Sequence, residues 1–320
     1  MRNGHWKAKE LEAELATTFQ SEHVQLVSSG TAAVSVALAS AGVGAGDEVI
    51  MPTFTFVASF EAIMMLGAIP VLVDIDDTLT LDPKAVEAPI TPKTKAVMIV
   101  QMFSFDFVKT ITCGEGGAVV TNNKEYYINA DHFSDHGHDH VGNDRGAETH
   151  PSLGYNFRIS ELHAAVGLAQ VRRLPEFIAI QKRNFTVLRN ALAKVPGVTF
   201  RTVPEGGEES YAFLNFFMPD LESAQKVSES FKANGIDACW NYYHNNWHYI
   251  RKWNHLKDLK SLYPISSEVK KGLEYLQTKT FDQSDFYISR NISCLIKLSW
   301  TDEEVRARAE KMAQLIQAIN

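Results

Sequence analysis

The stretch Val24-Gln-Leu-Val-Ser-Ser-Gly-Thr-Ala-Ala33 runs from a short apolar segment through a turn of small residues into the start of a helix. The same alternation continues with strand-like Glu48–Met51, a helix over Ala58–Leu66 that ends at Gly67, and strand-like Pro70–Asp74. Strands that alternate with helices form a mainly parallel sheet with helices on both faces. The sequence therefore predicts an α/β fold.

The pattern changes further along the chain. Thr110–Thr121 is predicted to form a hairpin with a tight glycine turn, and Ile159–Val195 a long helix broken at Pro175. The last helix begins at Thr301-Asp-Glu-Glu304, which has the spacing of a capping box. We predict a large domain over residues 1–195 and a smaller α+β domain over residues 196–320. The smaller domain would contain a helix over Leu221–Asn234 and strands over Val198–Val203, Ala212–Met218, Asp237–Tyr243 and Ile292–Leu298.

The composition is that of an ordinary globular protein, with 320 residues, a formal net charge of −7, 45% hydrophobic and 22% charged residues. A nucleic-acid binder needs a surplus of Lys and Arg, which this chain lacks. No apolar stretch is long enough to span a membrane, and the first residues carry no apolar secretory core. Cys113, Cys239 and Cys294 lie far apart, which favours reduced thiols over a disulfide framework or a zinc site. We expect a cytoplasmic enzyme.

The turn Ser28-Ser-Gly-Thr-Ala-Ala33 is the first candidate site. A turn of small residues at the start of a helix exposes free backbone N–H groups, which bind anions and phosphate groups in particular. The alternative is a tight strand-to-helix turn with no ligand.

Lys109 is the second candidate. It lies between Phe107, Val108 and Ile111, so we expect partial desolvation, which lowers the pKa of a lysine and makes the neutral amine available as a nucleophile. Such an amine forms Schiff bases with carbonyl compounds, including pyridoxal phosphate. A lysine that reaches solvent from a strand edge is the structural alternative. Ser104 upstream and the glycines of Gly114-Glu-Gly-Gly117 downstream favour the functional interpretation.

The third candidate is the loop Asp135-His-Gly-His-Asp-His140, where histidines alternate with other residues. Imidazole binds several transition metals, but no cysteine or helical histidine spacing completes a site, so we predict no metal and favour a polar substrate loop. The aromatic run Trp240–Tyr249 could stack on a sugar or a base, whereas core packing is expected for at least half of its rings.

One segment does not fit the alternation. Ala96–Val108 runs for thirteen residues without Gly, Pro or Asn, about twice the usual strand length of about 5 to 6 residues. It is typical of two strands placed end to end, yet successive parallel strands need a crossover of at least about a dozen residues. We therefore predict that a segment between Met102 and Phe103 is missing, either unresolved or deleted.

Taken together, the motifs resemble the DegT/DnrJ/EryC1/StrS family of sugar aminotransferases, which use pyridoxal 5'-phosphate. The resemblance covers most of the chain, and the order and spacing of the motifs carry it. It implies an aspartate-aminotransferase-like large domain (PLP fold type I) and homodimers with shared active sites. The matching motifs are Ser29-Gly-Thr-Ala-Ala33, Gly46–Ala58, Phe103-Ser-Phe with Lys109 and Gly114-Glu-Gly-Gly117, and Gly154-Tyr-Asn-Phe-Arg158.

The resemblance also implies a role for individual residues. Lys109 would form the Schiff base with the cofactor and later move a proton between substrate and cofactor carbons. The other cofactor contacts would be Gly30, Thr31 and Ser104 to the phosphate, Phe56 stacked on the pyridine ring, and Asn156 to the phosphate of the neighbouring subunit.

The chain departs from the family pattern at one point. Family members carry an acidic residue that pairs with the pyridine nitrogen, in an Asp-Ala-x-Gln-type motif ahead of the Phe-Ser-Phe strand. No such motif lies between Met102 and Phe103. Without that carboxylate the ring is a poor electron sink, so we expect slow transamination. This agrees with a missing segment.

Within the family, Ser134–Glu148, Asn245-Asn-Trp-His248 and Ile296–Thr301 look most similar to the octulosonate branch, which makes an 8-amino sugar for lipopolysaccharide. Its substrate carries a carboxylate, which cations of the chain could pair with; the candidates are His136, Arg145 and Arg158. The alternatives are a nucleotide-linked keto-sugar aminotransferase, a sugar dehydratase on the same fold, and a degenerate protein that binds the cofactor without catalysis. Lys109 disfavours the dehydratase, because histidine replaces this lysine in relatives that dehydrate.

Overall fold

A computed structural model of the chain describes residues 6–100, 109–141 and 146–319. The strands are β1 (His23–Val27), β2 (Glu48–Pro52), β3 (Ile69–Val73), β4 (Thr94–Val97), β5 (Gly117–Thr121), β6 (Thr199–Phe200), β7 (Phe213–Phe217), β8 (Cys239–Trp240) and β9 (Asn291–Leu295). The helices are α1 (Lys7–Phe19), α2 (Gly30–Ser40), α3 (Val57–Met65), α4 (Pro83–Val86), α5 (Lys124–Ser134), α6 (Glu161–Arg172), α7 (Leu174–Leu192), α8 (Leu221–Ala233), α9 (Asn254–Lys257), α10 (Ser267–Gly272), α11 (Asp282–Arg290) and α12 (Asp302–Gln317).

The described strands form three sheets. β2 lies between β3 and β4 and is parallel to both, as the alternation of strands and helices predicts. β1 and β5 form a separate antiparallel pair. The carboxyl-terminal part contains an antiparallel sheet in the order β6-β7-β9-β8. The fold class is therefore the predicted one, a mixed α/β architecture with a parallel sheet.

The predicted hairpin over Thr110–Thr121 is wrong. β5 pairs with β1, where Val27 lies opposite Gly117, about ninety residues away in sequence. The residues ahead of the glycine turn form no strand; instead Ile111 and Cys113 pack on Leu11 and other core residues beside β1. The glycine turn is a correct local signal, but the partner of the strand is decided by this non-local packing.

Several local predictions are confirmed. The long helix is divided into α6 and α7 at Arg173, ahead of Pro175. Thr301 and Glu304 form the full capping box at the start of α12, with both reciprocal hydrogen bonds present. Gly67 follows α3 with φ +72°, a left-handed conformation that glycine adopts without a steric penalty. The predicted strand over Asp237–Tyr243 is much shorter, since β8 contains only two residues.

Helix α2 packs on both amino-terminal sheets. Ala32 and Val36 belong to a cluster with Val27 of β1 and Val119 of β5. Leu38, on another part of the helix surface, belongs to the main cluster around β2 and β3. One helix thus lies over two sheets that share no hydrogen-bonded strand in the described part of the chain.

The main cluster also takes in residues beyond position 195. Tyr249 and Trp253 are 1% exposed and pack with Met51 and Phe60 of the first part of the chain. A second cluster fills the region between the four-stranded sheet and helices α7, α8 and α12. The division at residue 195 stays a prediction, and this packing shows that both sides of it share the main cluster.

The expectation of three reduced thiols is wrong for two of them, because Cys239 and Cys294 form a disulfide between β8 and β9. The two residues lie directly opposite each other in the antiparallel register, although 55 positions separate them in sequence. Cys113 is buried and donates a hydrogen bond of 3.0 Å to the carbonyl of Glu115, and burial raises its pKa to about 11. Among the described helices, none is both long and apolar enough to cross a membrane.

Candidate functional site

The turn between β1 and α2 exposes two backbone donors. Ser29 is the N-cap of α2, and its hydroxyl accepts a hydrogen bond of 3.1 Å from the amide of Ala32. The amides of Gly30 and Thr31, in the first turn of the helix, have no hydrogen-bond partner among the described residues. Free amides at the positive end of a helix dipole bind anions, so this turn has the donor geometry of a phosphate site.

Two neighbouring backbone segments fix the position of this turn. The amide of Ser28 donates a hydrogen bond of 2.7 Å to the carbonyl of Phe157. Gly117, the first residue of β5, lies so close to Ser29 that a Cβ atom at Gly117 would stand 2.3 Å from the Ser29 carbonyl oxygen. Only glycine permits this approach, which connects the segment carrying Lys109 to the helix terminus.

Phe56 and His248 form the second part of the site. Phe56 is the N-cap residue of α3 and is 53% exposed, so about half of the residue is open to solvent. The ring of His248 stands edge-on to it, with centroids 5.7 Å apart. The backbone holds the pair together, because the amide of Thr55 donates a hydrogen bond of 2.8 Å to the carbonyl of His248.

Lys109 lies close to the same histidine. Burial, and then the positive charge of Lys109, lower the pKa of His248 to about 4. His248 is therefore a neutral imidazole at neutral pH. No described carboxylate offsets these two effects at His248. The site thus combines an amine, an exposed aromatic face and a neutral imidazole.

Asn156 and the histidine loop lie beside the β1–α2 turn. Asn156 is exposed, and its backbone forms an isolated bridge with Asp135. The next residue, Phe157, carries the carbonyl that accepts from Ser28. The structure therefore places Asn156 within its own chain near the free amides; its predicted reach to a neighbouring subunit stays a prediction.

Most charges of the histidine loop already pair within the chain. Arg158 donates to Asp135, and the same carboxylate lies 3.5 Å from Nε2 of His140. Nδ1 of His138 lies 2.9 Å from the buried carboxylate of Glu148. His136, in contrast, is exposed. In residues 6–100, 109–141 and 146–319, no group of three or more His, Cys, Asp or Glu side chains has an arrangement suited to a metal ion.

Three predicted features fall outside the described residues: Ser104, Arg145 and the junction between Met102 and Phe103. The structure places Lys109 near His248, whose ring packs edge-on to Phe56, and it places Gly30 and Thr31 in the first turn of α2. The sequence reasoning did not select His248 as an individual site residue. The sequence feature that could have indicated His248 is its position in the aromatic run Trp240–Tyr249. Within that run Tyr242 and Tyr249 are buried, as core packing predicts.

The sequence is similar to one family over most of its length. The model of the DegT/DnrJ/EryC1/StrS aminotransferase family matches the chain in two parts, residues 2–103 and 100–276. The 3-amino-5-hydroxybenzoate synthase of Amycolatopsis mediterranei (strain S699) is 34% identical over 277 residues, which cover 70% of this chain and 70% of that protein.

Solved structures show the same fold. The crystal structure of 3-amino-5-hydroxybenzoic acid (AHBA) synthase superposes with a TM-score of 0.79 at 26% identity, covering 98% of this chain and 91% of that one. NtdA from Bacillus subtilis, a structure with bound cofactor PMP, superposes with a TM-score of 0.79 at 21% identity, covering 98% of this chain and 78% of that one.

Proposed function

We propose that this chain, which belongs to the DegT/DnrJ/EryC1/StrS aminotransferase family, uses pyridoxal 5'-phosphate to transfer an amino group from glutamate to an oxo-sugar. The observation that carries this proposal is that Lys109 lies near His248, whose ring packs edge-on to the exposed ring of Phe56. A reactive amine beside an exposed aromatic face and a neutral imidazole is what a carbonyl-bearing aromatic cofactor requires.

The described residues fit the cofactor at its phosphate, its ring face and its aldehyde. The free amides of Gly30 and Thr31 would hold the phosphate at the start of α2. The exposed ring of Phe56 would cover one face of the pyridine ring. Nζ of Lys109 would be the attachment point for the aldehyde.

The cofactor, when bound, carries the amino group between the two substrates and accepts electron density from the carbon that loses its proton. Nζ of Lys109 supplies the nucleophile and, once released, the base that moves this proton. His248 stays uncharged beside it, and the ring of Phe56 packs edge-on to His248. The chain thus supplies position and proton transfer.

For the amino acceptor, we propose 8-oxo-3,8-dideoxy-manno-octulosonate, which would give the 8-amino sugar of lipopolysaccharide. The described loop residues 135–141 support this choice, because the bridge from Asp135 to Asn156 and the hydrogen bond from Ser28 to Phe157 put them and Arg158 next to the phosphate turn. Asp135 already engages Arg158, so the exposed His136 is the better candidate for the substrate carboxylate. The proposal includes a cytoplasmic enzyme acting as a homodimer.

The test is a half-reaction with glutamate. Adding glutamate to the cofactor-loaded chain is expected to bleach the absorbance of the lysine-bound cofactor, slowly because no acidic motif precedes Phe103, and mass spectrometry of the full reaction should detect the 8-amino sugar. Lys109→Ala is expected to lower turnover by about a thousandfold or more, because the nucleophile and the base are lost together. Lys84→Ala, which removes an exposed lysine, is the matched control and should leave turnover unchanged.

Two outcomes would contradict this assignment. An unchanged spectrum after glutamate, in a preparation that binds the cofactor, would exclude glutamate as donor. Amination of a nucleotide-linked keto-sugar in place of the free octulosonate would replace the proposed acceptor and retain the reaction class.

A further inference from the structure

In the described part of the chain, the parallel sheet ends at β4. β4 is hydrogen bonded to β2 on one side, and on its other side it has no partner among the described residues. The side chains of Val97 and Ile99 are 44% and 64% exposed. Parallel sheets are normally covered on both faces, and an apolar open edge is a site of aggregation. The exposed apolar side chains at β4 are therefore typical of a strand that lies inside a sheet.

An apolar groove lies beside this edge. It has a volume of about 330 Å³ and runs between α2 and the end of β4. Its lining is apolar throughout and consists of Val34, Ala37, Leu38, Val97, Met98 and Ile99. A groove of this kind binds apolar side chains of another element of the fold.

The second amino-terminal sheet is open in the same way. β5 pairs with β1 and, in the part of the chain that the structure describes, with no other strand. Both sheets pack against α2, through Val36 on the β1–β5 side and Leu38 on the β2 side. Among the described residues, the unpaired edges of β4 and β5 therefore both belong to sheets under α2, and further strands could lie between them.

Alignment lengths indicate how much chain this place would hold. The alignment with the 3-amino-5-hydroxybenzoate synthase runs over 277 positions but takes in 70% of this 320-residue chain, about 224 residues. About 50 positions of that relative therefore have no counterpart here. The two matches of the family model meet at residues 100–103, where the uninterrupted sequence passes from Met102 to Phe103.

We infer that this chain is an internally shortened member of its family, which lacks a crossover helix and a following strand between Met102 and Phe103. About 50 residues suffice for one helix, one strand and their connections. The strand would pair with the free edge of β4 and fill the groove under α2, and the helix would cover Val97 and Ile99. This inference goes beyond the proposed function, because it concerns the completeness of the sheet and holds for any amino acceptor.

The test restores the segment. The corresponding 50 or so residues of the 3-amino-5-hydroxybenzoate synthase are inserted between Met102 and Phe103, and a Gly/Ser insert of equal length serves as the control. The graft is expected to raise the melting temperature by about 5 °C or more. It should also slow amide hydrogen exchange at Val97–Ile99 by about tenfold or more, since exchange reports local opening. The Gly/Ser insert should do neither.

A variant of the existing chain keeps the test decisive if the graft does not fold. Ile99→Lys is expected to leave the melting temperature of the 320-residue chain within about 1 °C, because the side chain is exposed at an open edge. A marked drop would overturn the inference. So would a concentration-dependent dimer that Ile99→Lys dissociates, since a second copy would then cover the edge.

The melting temperatures, exchange rates and oligomeric state are measured without glutamate or a sugar, and the half-reaction with glutamate is measured separately. A graft that stabilises the sheet but shows no half-reaction would refute the proposed function and support the inference. If the 320-residue chain carries out the half-reaction with glutamate as fast as the 3-amino-5-hydroxybenzoate synthase, and the graft does not stabilise it, the proposed function is supported and the inference is refuted.

Discussion

The carboxyl-terminal sheet is covered by its helices, whereas each amino-terminal sheet ends, within the described residues, at a strand with no further neighbour. In the first, Phe216 of β7 and Ile292 of β9 are fully buried under Leu188, Phe231 and Met312 of three helices. In the second, two separate sheets lie under α2 and present apolar side chains to solvent. Lys109, Phe56 and the free amides of α2 all belong to the open region. The covered sheet therefore contributes stability, and the proposed chemistry belongs to the part of the chain whose described strands have unpaired edges.

The largest expected effect compares the two sheets directly. Phe216→Ala should lower the free energy of unfolding by about 3 to 5 kcal/mol, because it leaves a cavity in a closed core. Ile99→Ala, at the open edge, should change it by less than about 0.5 kcal/mol. Urea unfolding followed by circular dichroism measures both. Equal losses would show that the two regions are packed alike.

The next effect depends on pH and on His248. Its pKa of about 4 lies below the value of 6.5 for an exposed histidine, so between these two values the unfolded chain binds the proton more readily. The free energy of unfolding is therefore unaffected by His248 above about pH 6.5. As the pH falls towards 4, protonation of His248 in the unfolded chain lowers the free energy of unfolding by up to about 3 kcal/mol.

Urea titrations between pH 7 and pH 4.5 test this dependence. His248→Gln should flatten the pH dependence of unfolding, while His255→Gln, which removes an exposed histidine, should leave it as it is. Identical pH profiles for the two variants would mean that His248 is not held neutral beside Lys109.

A smaller effect is expected where the Lys109 segment approaches α2. Gly117→Ala should cost about 1 to 3 kcal/mol, because the added Cβ would meet the carbonyl of Ser29 and shift the backbone. Gly44→Ala is the matched control, since a Cβ there meets nothing within 4 Å. Affinity for the cofactor should also fall in Gly117→Ala alone. If Gly117→Ala leaves the affinity for the cofactor unchanged, the contact between Gly117 and Ser29 does not position the phosphate-binding turn.

The smallest effect uses two helix caps of the same type. Ser29→Ala and Thr301→Ala each remove a hydroxyl that accepts from a helix amide, and each should cost about 1 kcal/mol. Only Ser29→Ala should weaken binding of the cofactor, as measured by its absorbance, because Ser29 orders the amides of Gly30 and Thr31. If both caps affect binding equally, the site is not at α2.

Much of the fold and part of the site follow from local patterns. The spacing of apolar residues and the small-residue turn predict β1 and α2, and the Pro175 and Thr301 signals predict the ends of long helices. Lys109, Phe56, Gly30 and Thr31 are candidates found by motif, and their roles stay predictions; the structure adds that Lys109 lies near His248. His248 was not predicted individually, because its proximity to Lys109 joins residues far apart in sequence.

The sequence by itself determined the local elements, the α/β class and the residue types that carry the chemistry, because turns, caps and periodicity act over a few neighbouring residues. The tertiary structure decided which strands pair. In the structure, β5 pairs with β1 and not within the predicted hairpin, Cys239 lies opposite Cys294, and His248 lies beside Phe56 and Lys109. These contacts depend on how separate segments fill a common core, which no local pattern encodes.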